Sequence, residues 1–427
     1  MKRWLVICLT AIALLAGCSS TQENNSKKQE EQTVNTQFLG EWTGTIEVPQ
    51  SPLVINISLE EAKGTFSVPI QGLKNFPIET LRYNGDTVDI TVNVQGQKMV
   101  IKGTLADGKI EGTFTQSGAT FPVTFIPNDG SDAEEVTYKE VSIPVKDGEL
   151  KVALQPAANG EPSPVAIIIA GSGPTDKNGN STLGLSNNSL KMLAEQLAEN
   201  NIATIRYDKR GLGDNTALVK NPTDVTIDTF ANDVASIIAY VKAQPSFTSV
   251  HVIGHSEGAL LGTLAAQDEA VDTLTLIAGT GRAIDEVLIE QLSAQVSPAL
   301  LEESKEIISK IKNGEIVEEI SNDLQMMFAV PNQPYLASWI KYNPTEELKQ
   351  LNNPTLIIQG TTDLQTNEKD AETLGTAATE LVYIEGMNHV LKEAPQDRAA
   401  NFATYSDPSL PLHEELLPLI EKFIKNK

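Results

Sequence analysis

The sequence predicts a doubly wound α/β domain behind a small antiparallel all-β domain. Three observations predict it. From about residue 136 onward, the apolar runs "PVAIIIAG", "IATIRYD", "SVHVIG", "DTLTLIAG", "PTLIIQG" and "ELVYIEG" alternate with helical patterns such as "TIDTFANDVASIIAYVKA". Unbroken β-branched runs of this length suit parallel strands buried on both faces. Residues 37–127 instead alternate apolar and polar positions and carry no useful helical period. Between the third and fourth of the apolar runs, "VIGHSEGALLG" sets a polar triplet between two glycines where a strand must turn into a helix.

The elements follow in chain order. Lys2 and Arg3 precede an apolar stretch, Trp4 to Leu15, that is too short to span a membrane as a mature helix. "LLAGC" then resembles the lipobox of bacterial lipoproteins, which implies that residues 1–18 are a signal peptide with lipobox and that Cys18 carries the lipid. The resemblance implies export and lipid anchoring at the extracytoplasmic face of the bacterial cell membrane. The two cysteines of the chain are Cys8 and Cys18, so loss of the signal and lipidation would leave no free thiol and no disulfide. Residues 19–36 are polar and aperiodic and read as a flexible tether with a root-mean-square reach of roughly 20–25 Å.

In residues 37–127, "TVDITVNV" puts Val88, Ile90, Val92 and Val94 on one face, and Asn84-Gly85 and Asp107-Gly108 signal hairpin turns. A barrel or sandwich of six to eight strands is expected. Residues 128–139 are a linker by composition, and 140–427 form the α/β domain, beginning with a hairpin around Asp147-Gly148. One gap, between Thr280 and Asn353, is too long for a simple crossover. It contains three or four helical segments, one of them bounded by Ser297-Pro298 and Asn313-Gly314 as N-cap and C-cap signals. An insertion at the carboxyl edge of a parallel sheet lies over the ligand crevice, so residues 282–350 read as a helical cap.

The formal net charge of −24 argues against nucleic acid as a partner and against electrostatic docking on anionic lipid. The chemistry is carried by the glycine-bounded triplet. In G-x-S-x-G between strand and helix, the glycines permit a sharp turn that leaves Ser256 at the helix start, with the Glu257 N–H free to meet an anion. A serine hydroxyl needs a base. Of four histidines, His251 reads as a strand core residue bonded to backbone, His255 as a structural neighbour of the nucleophile, and His413 as a surface residue of the terminal helix. His389, in "GMNH" just past a strand, remains as the base. Asp363, one short loop beyond "LIIQG", is the carboxylate that would orient it. Gly171 and the Ser172 N–H, after the first buried parallel strand, supply the second oxyanion donor. Asp176, Asp208 and Arg210 read as structural ion-pairing residues.

In order along the chain, "AGSGPTDKNGN", "RYDKRGLGDN", "GHSEGA", "QGTTD" and "GMNH" make residues 140–427 resemble the α/β-hydrolase superfamily, in particular bacterial secreted or lipoprotein esterases. The β region resembles accessory domains found ahead of some such hydrolases. The resemblance implies a carboxylic-ester hydrolase with a Ser256-His389-Asp363 triad acting on a small-molecule ester, and no cofactor or metal. The apolar residues of the cap, Met326, Met327, Phe328, Tyr335 and Trp339, are expected to set a pocket that favours short to medium acyl chains. Ala170 departs from the pattern, standing where many relatives carry histidine. A peptidase or acyltransferase on the same triad is the near alternative, and twelve acidic against six basic residues from Arg282 to Lys349 could meet a substrate amine. A non-catalytic ligand-binding lipoprotein is the alternative from another class.

Overall fold

The computed structural model describes residues 35–48, 53–68, 73–94, 97–128, 137–181, 185–293 and 295–426. The signal peptide, Cys18 and nearly all of the tether lie outside the described residues, as does most of the linker. The chain divides into two units, Met1–Glu135 and Val136–Lys427.

The first unit contains nine strands: β1 (Gly40–Ile46), β2 (Leu53–Leu59), β3 (Gly64–Val68), β4 (Leu73–Pro77), β5 (Thr80–Asn84), β6 (Thr87–Val94), β7 (Gln97–Ala106), β8 (Lys109–Gln116) and β9 (Ala119–Pro127). They form one antiparallel sheet in the order β4-β3-β2-β1-β9-β8-β7-β6-β5. Each neighbour is the next strand in sequence except where β1 meets β9, the pairing that joins the two ends of an up-and-down meander. Alternation puts one side of every strand inward. In β6, Val88, Ile90 and Val92 are buried while Val94 lies partly covered at the strand end. Trp42 is buried and donates its indole N–H to the Phe38 carbonyl at 2.8 Å, so the ring is covered without stranding its donor. The count exceeds the six to eight strands expected. The surplus comes from "GTFSV", "LKNFP" and "TLRYN", five-residue runs too short to give a clear period alone.

The second unit opens with the hairpin β10 (Lys139–Val145) and β11 (Gly148–Gln155), followed by β12 (Ser163–Ile169), β13 (Ala203–Tyr207), β14 (Phe247–His255), β15 (Thr273–Ile277), β16 (Thr355–Gly360) and β17 (Glu380–Ile384). The sheet order is β10-β11-β13-β12-β14-β15-β16-β17, parallel from β13 to β17. The helices between are α1 (Ser189–Glu199), α2 (Ile227–Lys242) and α3 (Glu257–Asp268). Then come α4 (Ile284–Ser293), α5 (Pro298–Lys312), α6 (Gln325–Phe328), α7 (Gln333–Ile340), α8 (Pro344–Leu348), α9 (Glu368–Gly375), α10 (Arg398–Ala403) and α11 (Leu416–Lys425).

Strand β12 shows why such runs are largely apolar. Val165, Ile167 and Ile169 belong to one core cluster with α2 and α3, whereas Ala166, Ile168 and Ala170 belong to another with α1 and α11. Both faces are covered, so no position is left for a polar side chain. Fully burying one such isoleucine contributes about 1.5–3 kcal/mol.

Helices α4–α8 lie within the insertion read as a cap. The signals at Ser297-Pro298 and Asn313 bound α5, where Ser297 Oγ accepts from the Leu300 N–H. Helix α7 is tied down by polar contacts: Gln333 Nε2 donates to the carbonyls of Val317 (2.6 Å) and Phe328 (2.9 Å), and Ser338 Oγ accepts from the Ile227 N–H at the start of α2 (2.9 Å). Arg282, at the root of the insertion, is held by Asp370 of α9 and by Glu290 of α4.

Candidate active site

Strand β14 ends at His255 and α3 begins at Glu257, which leaves Ser256 as the entire connection. Its backbone sits at φ 54°, ψ −119°, a conformation costing a non-glycine residue on the order of 1–3 kcal/mol. The surroundings hold it there. The Ser256 N–H donates to the Ile277 carbonyl at 2.9 Å, and the Ala259 N–H donates to the Ser256 carbonyl at 3.0 Å. Close approach explains the flanking glycines: a Cβ on Gly254 would lie 2.3 Å from the Gly258 carbonyl oxygen, and one on Gly258 would lie 2.3 Å from that of Ile169. The tight turn thus seats the first turn of α3 directly on the end of β12.

His389 lies in the loop after β17, and two contacts fix that loop. Asn388 donates from Nδ2 to Asn401 Oδ1 and Thr404 Oγ1, while its Oδ1 accepts the N–H groups of Val390 and Lys392. His255 Nε2 donates to the His389 carbonyl at 2.8 Å, with the two imidazoles 4.8 Å apart between centroids. His389 Nδ1 lies 2.9 Å from Asp363 Oδ2, both side chains being almost wholly buried. Burial pushes the Asp363 carboxyl up. The neighbouring His389, a hydrogen bond to it and the N–H groups of Gln365 and Thr366 outweigh this and hold it below the ordinary carboxylate range. An ionised acceptor on Nδ1 requires a proton there, so neutral His389 carries its lone pair on Nε2, the atom a general base uses.

Ser256, Asp363 and His389 each follow the carboxyl end of a parallel strand, respectively β14, β16 and β17. Gly171, just past β12, borders the serine: a Cβ on it would stand 3.1 Å from Ser256 Cβ. The Ser172 N–H therefore belongs to the peptide adjoining Ser256, and the Glu257 N–H belongs to the first residue of α3. Among the described residues, no hydrogen bond engages either N–H.

The other histidines have separate occupations. His251 is buried and bonds to side chains, Ser249 Oγ and Thr273 Oγ1, each at 2.8 Å, where a backbone partner was expected. The cross-strand register of β14 and β15 puts Thr273 opposite it and so supplies a hydroxyl. Burial lowers its pKa to about 4. His413 is not on the surface of the last helix. It precedes α11, is buried, and meets the Glu385 carbonyl at 3.0 Å. Asp208 pairs with Lys177 at 2.8 Å and Arg210 with Asp233 at 2.5 Å, as expected for structural ion pairs, whereas Asp176 caps a turn through the N–H groups of Asn178 and Asn180. Among the described residues, no group of three His, Cys, Asp or Glu side chains is arranged to hold a metal ion.

Residues 184–395, which include Ser256, Asp363 and His389, match the family described as serine aminopeptidase, S33. The second unit thus has the α/β-hydrolase fold. Esterase EstD of Thermotoga maritima is 28% identical to it over 294 residues, 67% of each chain. Among solved structures, Est1E from Butyrivibrio proteoclasticus with bound ferulic acid is 17% identical, with a TM-score of 0.45, and aligns over 67% of this chain and 99% of its own. Proline iminopeptidase of Mycobacterium smegmatis is 16% identical with a TM-score of 0.44, over 67% and 98% respectively.

Within the α/β-hydrolase domain, the sequence marks Glu257 only as a backbone donor and does not reveal the partners of its carboxylate. Lys209 Nζ lies 2.8 Å from Glu257 Oε1 and donates to the Gly171 carbonyl at 2.7 Å, and Tyr335 of α7 donates its hydroxyl to Glu257 Oε2. The Lys209 and Glu257 side chains are 3% and 0% exposed, far below what either residue type usually shows. Lys209 sits in "RYDKRG" between two residues read as structural pairs, and only the fold brings it beside Ser256.

Proposed function

We propose that this α/β-hydrolase is a serine esterase that cleaves carboxylic esters through an acyl-enzyme. The observation that carries the reading is the buried Asp363–His389 hydrogen bond at the same sheet edge as the strained Ser256 turn. His389 Nε2 takes the proton of Ser256 Oγ as that oxygen attacks the acyl carbonyl, and returns it to the leaving alcohol. Asp363 keeps the proton on Nδ1 and balances the imidazolium. The N–H groups of Ser172 and Glu257, with the amino-terminal pole of α3, take up the charge that forms on the carbonyl oxygen. Water activated by His389 then frees the acid and restores the serine. The name of the Thermotoga relative supports ester substrates.

The cap is read as the selector of acyl length, in the short to medium range. Its residues differ in what they offer: Phe328 and Trp339 are buried, whereas Met326 and Met327 are exposed. Truncating Met327, Phe328 or Trp339 is expected to shift the preferred ester length more than it changes kcat on acetate esters. The extracytoplasmic membrane location, through lipid on Cys18, rests on the lipobox and the polar tether behind it.

Peptide hydrolysis is the second reading, favoured by the aminopeptidase description of the matching family. An aminopeptidase needs an unpaired carboxylate for the substrate amine. Glu257, the acidic residue beside the nucleophile, is already paired to Lys209 and bonded to Tyr335, which favours the ester reading. Assaying p-nitrophenyl acetate, butyrate and octanoate beside alanine and proline p-nitroanilides tests the choice. Ester turnover exceeding anilide turnover by 10²-fold or more is expected; the reverse ranking would replace the esterase reading with the peptidase one.

A further inference from the structure

Lys209 makes contact with both halves of the candidate oxyanion site. Its ammonium binds the carbonyl of Gly171 and the carboxylate of Glu257, and the N–H groups proposed to hold the oxyanion belong to Ser172 and Glu257. The first contact has a geometric consequence. The Gly171 carbonyl and the Ser172 N–H are two ends of one planar peptide unit, and in a trans peptide they point in opposite directions. No cis peptide bond occurs among the described residues. Holding the carbonyl oxygen at 2.7 Å therefore fixes the direction of the Ser172 N–H, and a cation on that oxygen also polarises the amide and strengthens its donor end.

The second contact removes a conflict. A bare carboxylate on the first residue of α3 would oppose a negative charge forming at the same helix end. Lys209 neutralises it, and Phe230 walls the ammonium from the other side, its ring centroid 5.0 Å from Nζ. Tyr335 completes the set from the cap by donating to the remaining carboxylate oxygen, and burial and Glu257 raise its own pKa well above the ordinary value.

We propose that Lys209 and the Glu257 carboxylate are positioning residues that aim and polarise the two oxyanion donors, with Tyr335 registering the cap on the same pair. The proposal rests on the esterase reading, and the test keeps the two apart. Lys209→Met alone would leave a buried carboxylate unpaired, so the variant of choice is Lys209→Met with Glu257→Gln, which removes both charges at similar volume. Kinetics are read on p-nitrophenyl butyrate together with the inhibition constant of an aryl boronic acid, whose tetrahedral adduct on serine uses the oxyanion donors. Losing one such donor outright costs about 10²–10³ in kcat, and misaiming one should cost roughly 10- to 100-fold. The expected result is that loss in kcat with KM within about threefold, and a matching loss of boronate affinity, in a protein whose circular dichroism is unchanged. A merely structural pair would leave kcat per folded molecule and boronate affinity within about threefold of the parent, which overturns the proposal. Should the double variant fail to fold, Glu257→Gln alone keeps one acceptor oxygen for Lys209 and turns an amide N–H toward Tyr335, whose hydroxyl oxygen can accept it. A tenfold fall in its kcat at unchanged KM supports the proposal, and a change under twofold overturns it. If the parent itself hydrolyses no ester, the esterase reading has failed and not the positioning one.

Discussion

Gly258 gives the sharpest test of how closely the Ser256 turn must sit on the sheet. A Cβ there would lie 2.3 Å from the Ile169 carbonyl oxygen and 2.9 Å from that of Ala170, both backbone atoms of the β12 end that leads into Gly171. Ordinary contact begins near 3.4 Å, so Gly258→Ala requires α3 and the strand to separate by about 1 Å. No rotamer can absorb this, because neither clashing atom belongs to a side chain. The separation opens along the line between Glu257 and Gly171, the two residues that bracket the proposed oxyanion position. Misplacement of about 1 Å in a catalytic array costs on the order of 10²-fold, and overpacking of this kind costs about 1–3 kcal/mol in stability. Gly262, one helical turn further on, is the control: its Cβ would meet Val252 Cγ1 at 2.7 Å and Ile169 Cδ1 at 3.2 Å, both side-chain methyls that can shift. Gly258→Ala should lose about 10²-fold in kcat on p-nitrophenyl butyrate, while Gly262→Ala loses stability with kcat within about fivefold. Equal kcat in the two variants, each shown folded by circular dichroism, would refute the argument that backbone approach at Gly258 sets the site.

Further predictions concern the titrating groups and the anchor. Burial lowers His251 to about 4 and His255 to about 3 from 6.5. Both therefore stay neutral in the folded state while the unfolded chain takes up protons below pH 6.5. Their stability contribution is complete above that value and falls as the pH drops, by about 1.4 kcal/mol per pH unit for each. His251→Gln should reduce the dependence of urea stability on pH by that amount between pH 6.5 and 5, followed through Trp339 fluorescence; an unchanged slope contradicts the neutral assignment. Asp363→Asn keeps the volume but reverses the hydrogen bond to Nδ1, and should lower kcat by about 10⁴; a loss under tenfold means the carboxylate does not orient the base. Cys18→Ser should move the protein from the membrane fraction to a soluble or unprocessed form, since two acyl chains anchor stably and none does. An unchanged distribution would mean something else holds it.

Legibility in the sequence followed the range of the interaction. The six apolar runs are β12–β17, legible because burial on both faces favours apolar residues at successive positions, as at Val165–Ala170, even though buried polar residues such as His251 and Thr273 interrupt some of them. The turn at Ser256 was legible because its steric demands fall on residues two places away on either side. Short strands such as Gly64–Val68 were not, since five residues carry too little period. His413 misled because its neighbours continue a helical pattern while its own partner, the Glu385 carbonyl, lies 28 residues away. Lys209, Glu257 and Tyr335 are separated by 48 and 78 positions, and each looks like an ordinary residue in its local sequence. Only the sheet order, with β13 beside β12 and β12 beside β14, brings the first two together, and only the cap brings the third.

The central claim is that Ser256 is the nucleophile of a serine esterase, and covalent labelling tests it most directly. The parent protein is treated with a fluorophosphonate probe, digested, and the modified peptide mapped by mass spectrometry, with Ser256→Ala alongside. The account predicts one modified residue, Ser256, loss of label in the variant, and a fall in p-nitrophenyl ester hydrolysis of about 10⁶ in a folded protein. Label on another residue, or hydrolysis by Ser256→Ala within tenfold of the parent, would contradict it.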